Sequence, residues 1–238
     1  MEVGVTGSSG FLGSHLTNAL HQKTKFQVTT LKRNSSKKFP SINELKSFVE
    51  NLDLIYHVAG VNQGTNEEIF EGNIQATFNL LEAIRKYGNS SPRIIFTSSS
   101  QVYKKTKSPK ELVTESYKAD PATLFGVAKK TAEDLIRLSG FEHAIIRIAK
   151  IYGPGCRPEY NSVIATFCHK SVNGEPLRID GDGHQERDFI YVEDVINAMV
   201  LAGIKVNNFI SGVYNIGTNR TASLRHIIQS INSSGLET

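Results

Sequence analysis

Thr6-Gly7-Ser8-Ser9-Gly10-Phe11-Leu12-Gly13 is the stretch that decides the fold of this chain. The apolar run Val3–Thr6 before it reads as a short strand. Phe11–His21 after it, with Leu12, Leu16, Ala19 and Leu20 at helical spacing, reads as a helix. Glycines between such a strand and helix have distinct uses: Gly7 for the turn, Gly10 for close approach of the backbone to a pyrophosphate, Gly13 for packing of helix on strand. The helix N-terminus adds free N–H groups and the positive end of a dipole. Glycine triplets also occur in turns that bind nothing; the strand–turn–helix context is what points to a dinucleotide. Gly7, Ser9, Gly10, Phe11, Leu12 and Gly13 are therefore the first candidate cofactor residues.

Outward from this turn the pattern alternates. Val28–Leu31, Leu52–Val58, Arg93–Thr97 and Ala144–Ile148 read as strands, and Glu67–Lys86 and Thr123–Leu138 as helices. Alternation of this kind predicts an α/β fold, a Rossmann doubly wound parallel sheet with helices on both faces. Ligands in such sheets sit at the carboxyl ends of strands, where the strand order reverses. After Ile151-Tyr152-Gly153-Pro154-Gly155 the alternation stops. Residues 1–152 are read as the dinucleotide-binding domain, and 153–238 as mainly a small substrate lobe, naturally short or truncated, interleaved with it.

Composition narrows the class. With 39% hydrophobic and 21% charged residues, the 238-residue chain is ordinary globular protein. No run approaches 18 apolar residues, so no membrane partner is expected, and the N-terminus lacks the pattern of a secretory signal. Two cysteines are too few for a disulfide framework, which suits a cytoplasmic protein. The histidines show no metal-ligand spacing, so no metal is expected. The net charge of +4 is concentrated at Lys32, Arg33, Lys37, Lys38 and at Lys104, Lys105, Lys107, Lys110, without interleaved aromatic residues. Nucleic acid is therefore not an expected partner.

The first basic cluster bears on the cofactor. An acid at the end of the second strand would hold the 2′-hydroxyl of NAD, whereas this chain has Lys32, Arg33 and Asn34 there. A guanidinium takes a 2′-phosphate in two hydrogen bonds, so the cofactor expected is NADP, with NAD second. The competing reading is a solvated basic loop with no ligand.

Ser98-Ser99-Ser100-Gln101-Val102-Tyr103 follows the Arg93–Thr97 strand, and Phe125 and Lys129 lie one turn apart on the next long helix. With these residues the chain resembles an extended short-chain dehydrogenase/reductase of the NAD-dependent epimerase/dehydratase family. The likeness also rests on Asp53-Leu54-Ile55-Tyr56-His57-Val58-Ala59-Gly60, on Asn73 with Thr77 and Asn79, and on Arg147 with Tyr152-Gly153-Pro154. Gly181-Asp182-Gly183-His184-Gln185-Glu186-Arg187-Asp188-Phe189 and Tyr214-Asn215-Ile216-Gly217 complete it. The resemblance implies nucleotide-sugar chemistry in a homodimer. It makes Ser99 the group that polarises the sugar hydroxyl, Lys129 the cation that binds the nicotinamide ribose, and Asn73 the support of that lysine. Val58, Ala59 and Gly60 would line the cofactor, and Ser99, Ser100, Lys150 and Arg187 the substrate. His15 and His57 are expected to pack or hydrogen-bond rather than catalyse.

The chain departs from the family's pattern in four places. The catalytic tyrosine position is Phe125, which has no oxygen to carry a proton. Three readings of it stand: a deliberate Tyr→Phe substitution, a natural enzyme that uses another acid or water, and a natural binder without catalysis. Only 21 residues separate Leu31 from Asp53, so the family's third strand is expected to be abbreviated. Lys150 replaces a usual asparagine, and the sequence stops at Thr238, before the family's later substrate-lobe segment, as either a short natural form or a truncation would. The reaction expected first is epimerisation through a keto sugar, followed by reduction of a keto sugar with NADPH. Dehydration comes third, because Ser99 is followed by Ser100-Gln101 rather than Asp-Glu. A non-catalytic NADP-binding sensor is the alternative of another class.

Overall fold

The computed structural model describes residues 1–31, 38–106, 108, 111–160, 162–204 and 211–233. Six parallel strands make the main sheet, in the order β2 (Gln27–Thr30), β1 (Glu2–Thr6), β3 (Leu54–His57), β4 (Arg93–Ser99), β5 (His143–Ile148), β8 (Gly212–Ile216). All four residues of β3 are buried, as expected of a strand covered by helices on both faces. One face carries α1 (Phe11–Lys23) and α7 (Val192–Ile204), whose Leu16, Leu20, Val195 and Met199 pack on Val3, Val5 and Tyr56. The other carries α2 (Lys46–Val49), α4 (Ala76–Tyr87) and α5 (Leu124–Leu138), where Leu80, Ile84 and Ile136 meet Ile55, Ile94 and Phe96. Each such side chain contributes about 1.5–3 kcal/mol on burial.

The strand order reverses between β1 and β3: the chain leaves β1 for β2 on one side and returns to β3 on the other. Among the described residues no strand lies outside β2. The abbreviated stretch after Leu31 supplies turns and α2 instead, which pack Leu45, Phe48 and Val49 against α4.

The helix expected at Glu67–Lys86 is interrupted. It forms α3 (Asn66–Phe70), a π-helical turn at Glu71–Gln75, and α4. The cause is local. Asn73 Nδ2 donates to the Ile69 carbonyl at 2.8 Å, the acceptor its own backbone N–H would take in an α-helix, and to the Val61 carbonyl at 2.7 Å. Side-chain capture of a ladder carbonyl opens the turn, and such bulges gather at functional sites.

Beyond β5, a second sheet joins β6 (Lys150–Tyr152) parallel to β7 (Glu186–Tyr191), and β7 antiparallel to β9 (Thr221–Ser223). Helices α6 (Val163–Val172) and α8 (Leu224–Ser233) pack there around Phe167, Ile227 and Ile231. Strand β8 returns to the main sheet beside β5, so the chain passes between the two sheets more than once. No helix among the described residues is long and apolar enough to cross a membrane.

Candidate active site

The crevice at the strand reversal is where the glycine turn lies. Gly7 has φ +73°, and a Cβ there would meet the Ala59 nitrogen at 2.7 Å. A Cβ on Gly13 would come 2.0 Å from the Gly7 carbonyl oxygen, so a larger residue would push α1 off the turn. The N-terminus of α1 has no side-chain cap and no acidic residue in its first turn. Its N–H groups and dipole are therefore left for an anion.

A buried polar chain ties this turn to the π-turn, and its direction is determined. Thr77 Oγ1 donates to the Asn73 carbonyl at 2.6 Å, so it accepts from His57 Nε2 at 3.0 Å. His57 Nδ1 then carries no proton and accepts from Thr6 Oγ1 at 2.8 Å, which itself accepts from the Ala59 N–H at 3.1 Å. Every donor is used once, with His57 as the neutral Nε2–H tautomer. Burial, with the Lys129 charge nearby, pushes the His57 pKa down to about 3. His57 is thus a hydrogen-bonding residue of the core, as expected, and His15 meets the Pro154 carbonyl at 2.9 Å.

Lys129 is buried on α5 and donates to the Thr97 carbonyl at 3.0 Å. Its ammonium lies 4.7 Å from the Phe96 ring centroid. Asn73 Oδ1 is buried without a hydrogen-bond partner among the described residues. A Cβ on Gly60 would lie 2.8 Å from that oxygen and 3.0 Å from Lys129 Nζ, so the three groups converge. Burial lowers the Lys129 pKa to about 8, against the raising effect of Glu133.

Ser99 ends β4, and its Oγ accepts from the Gln101 N–H at 3.2 Å, which turns the chain outward. Behind it stands a buried brace. Arg147 donates to both oxygens of Glu133, at 2.9 and 2.6 Å, and Ser98 Oγ donates to Glu133 at 2.5 Å. The Arg147 guanidinium also lies over the Tyr103 ring, and Tyr103 donates to Asn215 Oδ1 at 2.6 Å. Breaking a buried ion pair of this kind costs about 3–5 kcal/mol, so β4, β5, β8 and α5 are held in one register behind Ser99.

One cavity of about 390 Å³ joins these parts. It runs from Gly7, Gly10, Phe11, Leu12 and Gly13, past Val58, Ala59 and Gly60, to Ser99, Ser100, Phe125, Lys129 and Lys150. A second, of about 460 Å³, continues from Gly7 and Ser9 to Leu31, Lys38, Phe39 and Glu71. The strand-end glycine turn, the Ser99 position and the Lys129 helix thus open on a single groove, which is how the residues spread over the sequence converge.

A sequence profile of the NAD dependent epimerase/dehydratase family matches residues 3–217. The chain belongs to this family. It is 30% identical over 217 residues to UDP-2-acetamido-2,6-beta-L-arabino-hexul-4-ose reductase of Pseudomonas aeruginosa, covering 89% of this chain and 52% of that one. It is also 30% identical over 254 residues to a putative UDP-glucose 4-epimerase of Methanocaldococcus jannaschii, covering 95% of this chain and 80% of that one. The chain thus spans about half the length of the first relative and four fifths of the second. Its fold matches the crystal structure of UDP-glucuronic acid 4-epimerase from Bacillus cereus in complex with NAD. There the TM-score is 0.87 and the identity 28%, over 100% of this chain and 84% of that one. A tyrosine-to-phenylalanine variant of the same epimerase, in complex with NAD and UDP-4-deoxy-4-fluoro-glucuronic acid, matches at 0.86.

A dinucleotide cofactor of the family fits the residues present. The uncapped α1 N-terminus suits a pyrophosphate, and the buried Asn73 oxygen beside Lys129 suits a polar contact that the described residues do not complete. Lys150 and Arg187 line a further cavity of about 250 Å³ with Ile151, Gln185 and Phe189. Two cations thus share one opening, and burial together with the neighbouring Arg187 charge lowers the Lys150 pKa. Lys32, Arg33 and Asn34 lie outside the described residues. Lys38, of the first basic cluster, lines the groove beyond Leu31; sequence reasoning assigned no place to Glu71, which lines it too, or to Glu133. An acid four residues after Lys129 on the same helix face was the available signal for Glu133.

Proposed function

We propose that the chain is a nucleotide-sugar epimerase that works with a bound nicotinamide dinucleotide. The observation that carries this reading is the single cavity holding the glycine turn, Ser99, Phe125, Lys129 and Lys150 together. When bound, the nicotinamide supplies the oxidation of a sugar hydroxyl and the return of the hydride. The α1 N-terminus holds its pyrophosphate, and Lys129 binds its ribose hydroxyls. Ser99 Oγ orients the sugar hydroxyl, and Ser100 lines the sugar's side of the cavity. Arg187, with Lys150, takes the substrate diphosphate from the smaller sheet, so that residues 153–238 act mainly as the substrate lobe beside the 1–152 dinucleotide domain. UDP-sugars, which occupy several of the structural relatives, are the substrate class.

Phe125 bears no hydroxyl, so the proton of the sugar hydroxyl has no phenolate acceptor, and turnover by this chain is slow. Cofactor choice follows Lys32 and Arg33 toward NADP. Reduction of a keto sugar is the second reading, favoured by the likeness to the Pseudomonas aeruginosa reductase over 89% of this chain. Exposed Phe70 and Phe78 on the α3–α4 side and exposed Leu124 and Val127 on α5 make a homodimer interface along adjoining helices. Among the described residues Cys156 and Cys168 form no disulfide, and two cysteines in the whole chain suit the cytoplasm.

Incubation of UDP-glucose, UDP-glucuronic acid or a UDP-4-keto sugar with each dinucleotide, oxidised and reduced, followed by proton NMR of the sugar, together with calorimetry of dinucleotide binding, tests the reading. Inversion at one sugar carbon without net cofactor turnover supports epimerisation; stoichiometric cofactor oxidation by a keto sugar supports the reductase. Failure to bind any dinucleotide would sink both.

A further inference from the structure

The groove beyond the glycine turn has a feature that the sequence alone does not assemble. Lys38 Nζ lies 3.0 and 2.9 Å from the two carboxylate oxygens of Glu71, so the segment after β2 is tied to the first residue of the π-turn. Both residues line the cavity of about 460 Å³ that also holds Gly7, Ser9 and Leu31. Leu31 directly follows β2, and the end of that strand is where a dinucleotide's adenosine ribose is recognised in this kind of sheet. Glu68 lines the same cavity, but its Oε2 accepts from the Thr65 N–H at 2.7 Å in a capping box. Among the described residues, Lys38 is the side chain that the Glu71 carboxylate holds.

We propose that Lys38 and Glu71 together set how strongly the chain discriminates between a phosphorylated and an unphosphorylated adenosine ribose. This rests on the reading that a dinucleotide occupies the groove. Lys38 is a cation for a 2′-phosphate, and Glu71 opposes that phosphate twice, by occupying Lys38 and by repelling the dianion. Both side chains are substantially exposed, and an ion pair so exposed is weak, so exchange of partner is easy. A 2′-hydroxyl makes no such demand: the Glu71 carboxylate has lone pairs to spare and accepts from the hydroxyl while keeping Lys38. The contribution of these two residues is separate from that of Lys32 and Arg33.

The test measures dissociation constants of NAD⁺ and NADP⁺, and of 5′-AMP and 2′,5′-ADP as adenosine-half probes, on the wild-type chain, Glu71→Gln and Lys38→Met. Glu71→Gln should tighten NADP⁺ and 2′,5′-ADP about tenfold by freeing one charge-assisted hydrogen bond, and should loosen NAD⁺ and 5′-AMP slightly. Lys38→Met should loosen the 2′-phosphorylated ligands by about the same factor and leave the others unchanged. Both shifts should shrink in high salt. Equal changes for phosphorylated and unphosphorylated ligands, or none, would make the pair a brace between two segments and overturn the proposal. A wild-type chain that binds neither dinucleotide would instead remove the functional reading on which the proposal rests.

Discussion

The Lys129 ammonium stands 5.9 Å from the centroid of the Phe125 ring, one turn along α5, with its hydrogen bond to the Thr97 carbonyl already made. The cation that would stabilise a phenolate at position 125 is therefore in place, buried and fixed, beside a ring that has no oxygen. Phe125→Tyr should raise turnover of a nucleotide sugar by ~10²–10⁴-fold, the usual contribution of a general acid–base group. Activity should rise through an apparent pKa below the free tyrosine value of about 10, because Lys129 favours the phenolate. Adding Lys129→Met should remove most of the gain and move that pKa upward. Brisk turnover by the unaltered chain, unchanged by Phe125→Tyr, would place proton transfer elsewhere.

His57 gives a pH dependence of fixed sign. Its pKa in the folded protein is about 3, against an ordinary 6.5. Between those values the unfolded chain binds a proton that the folded chain does not, so stability falls as pH falls below about 6.5, by up to ~1.4 kcal/mol per pH unit. Urea titrations at pH 7, 6 and 5 on the wild type and His57→Asn measure it. The variant should be less stable at pH 7 by ~1–3 kcal/mol, for the lost bond to Thr77, yet show a shallower acid slope. The same slope in both proteins would assign it to other groups. Nitrogen NMR of the wild type should show an unprotonated Nδ1 and a protonated Nε2 throughout that range.

Arg187 separates substrate from cofactor. It shares its cavity with Lys150, away from the glycine turn. Arg187→Ala should weaken UDP-sugar binding by about 10–100-fold, as expected for loss of a charge-assisted bond to phosphate, and leave dinucleotide affinity within twofold. Parallel losses in both affinities, measured by calorimetry, would make the residue structural.

The homodimer is tested at one side chain. Phe78→Glu should convert a dimer into a monomer in light scattering, since an unpaired carboxylate in an apolar interface carries a large desolvation cost. If the wild type is itself a monomer at micromolar concentration, the α3–α5 face does not associate.

Much of this molecule is legible in one dimension. The glycine turn, the alternation of strand and helix, and the order of Ser99, Phe125 and Lys129 depend on local rules: periodicity, the φ of +73° that Gly7 supplies, and the dipole of a helix end. These determined the Rossmann sheet and its family. Three features were decided only by tertiary contacts. The break in the helix expected at Glu67–Lys86 follows from Asn73 reaching the Val61 carbonyl twelve residues back, which no helical period encodes. The tautomer of His57 follows from Thr6 and Thr77, 51 and 20 residues away, whose own bonds fix which nitrogen carries the proton. The pairing of Lys38 with Glu71 joins residues 33 apart, across a groove that exists only once the sheet has closed around its strand reversal. Backbone turns are set by neighbours in sequence; the charge and protonation of a site are set by neighbours in space, because desolvation and hydrogen-bond direction depend on what surrounds a group when the chain is folded.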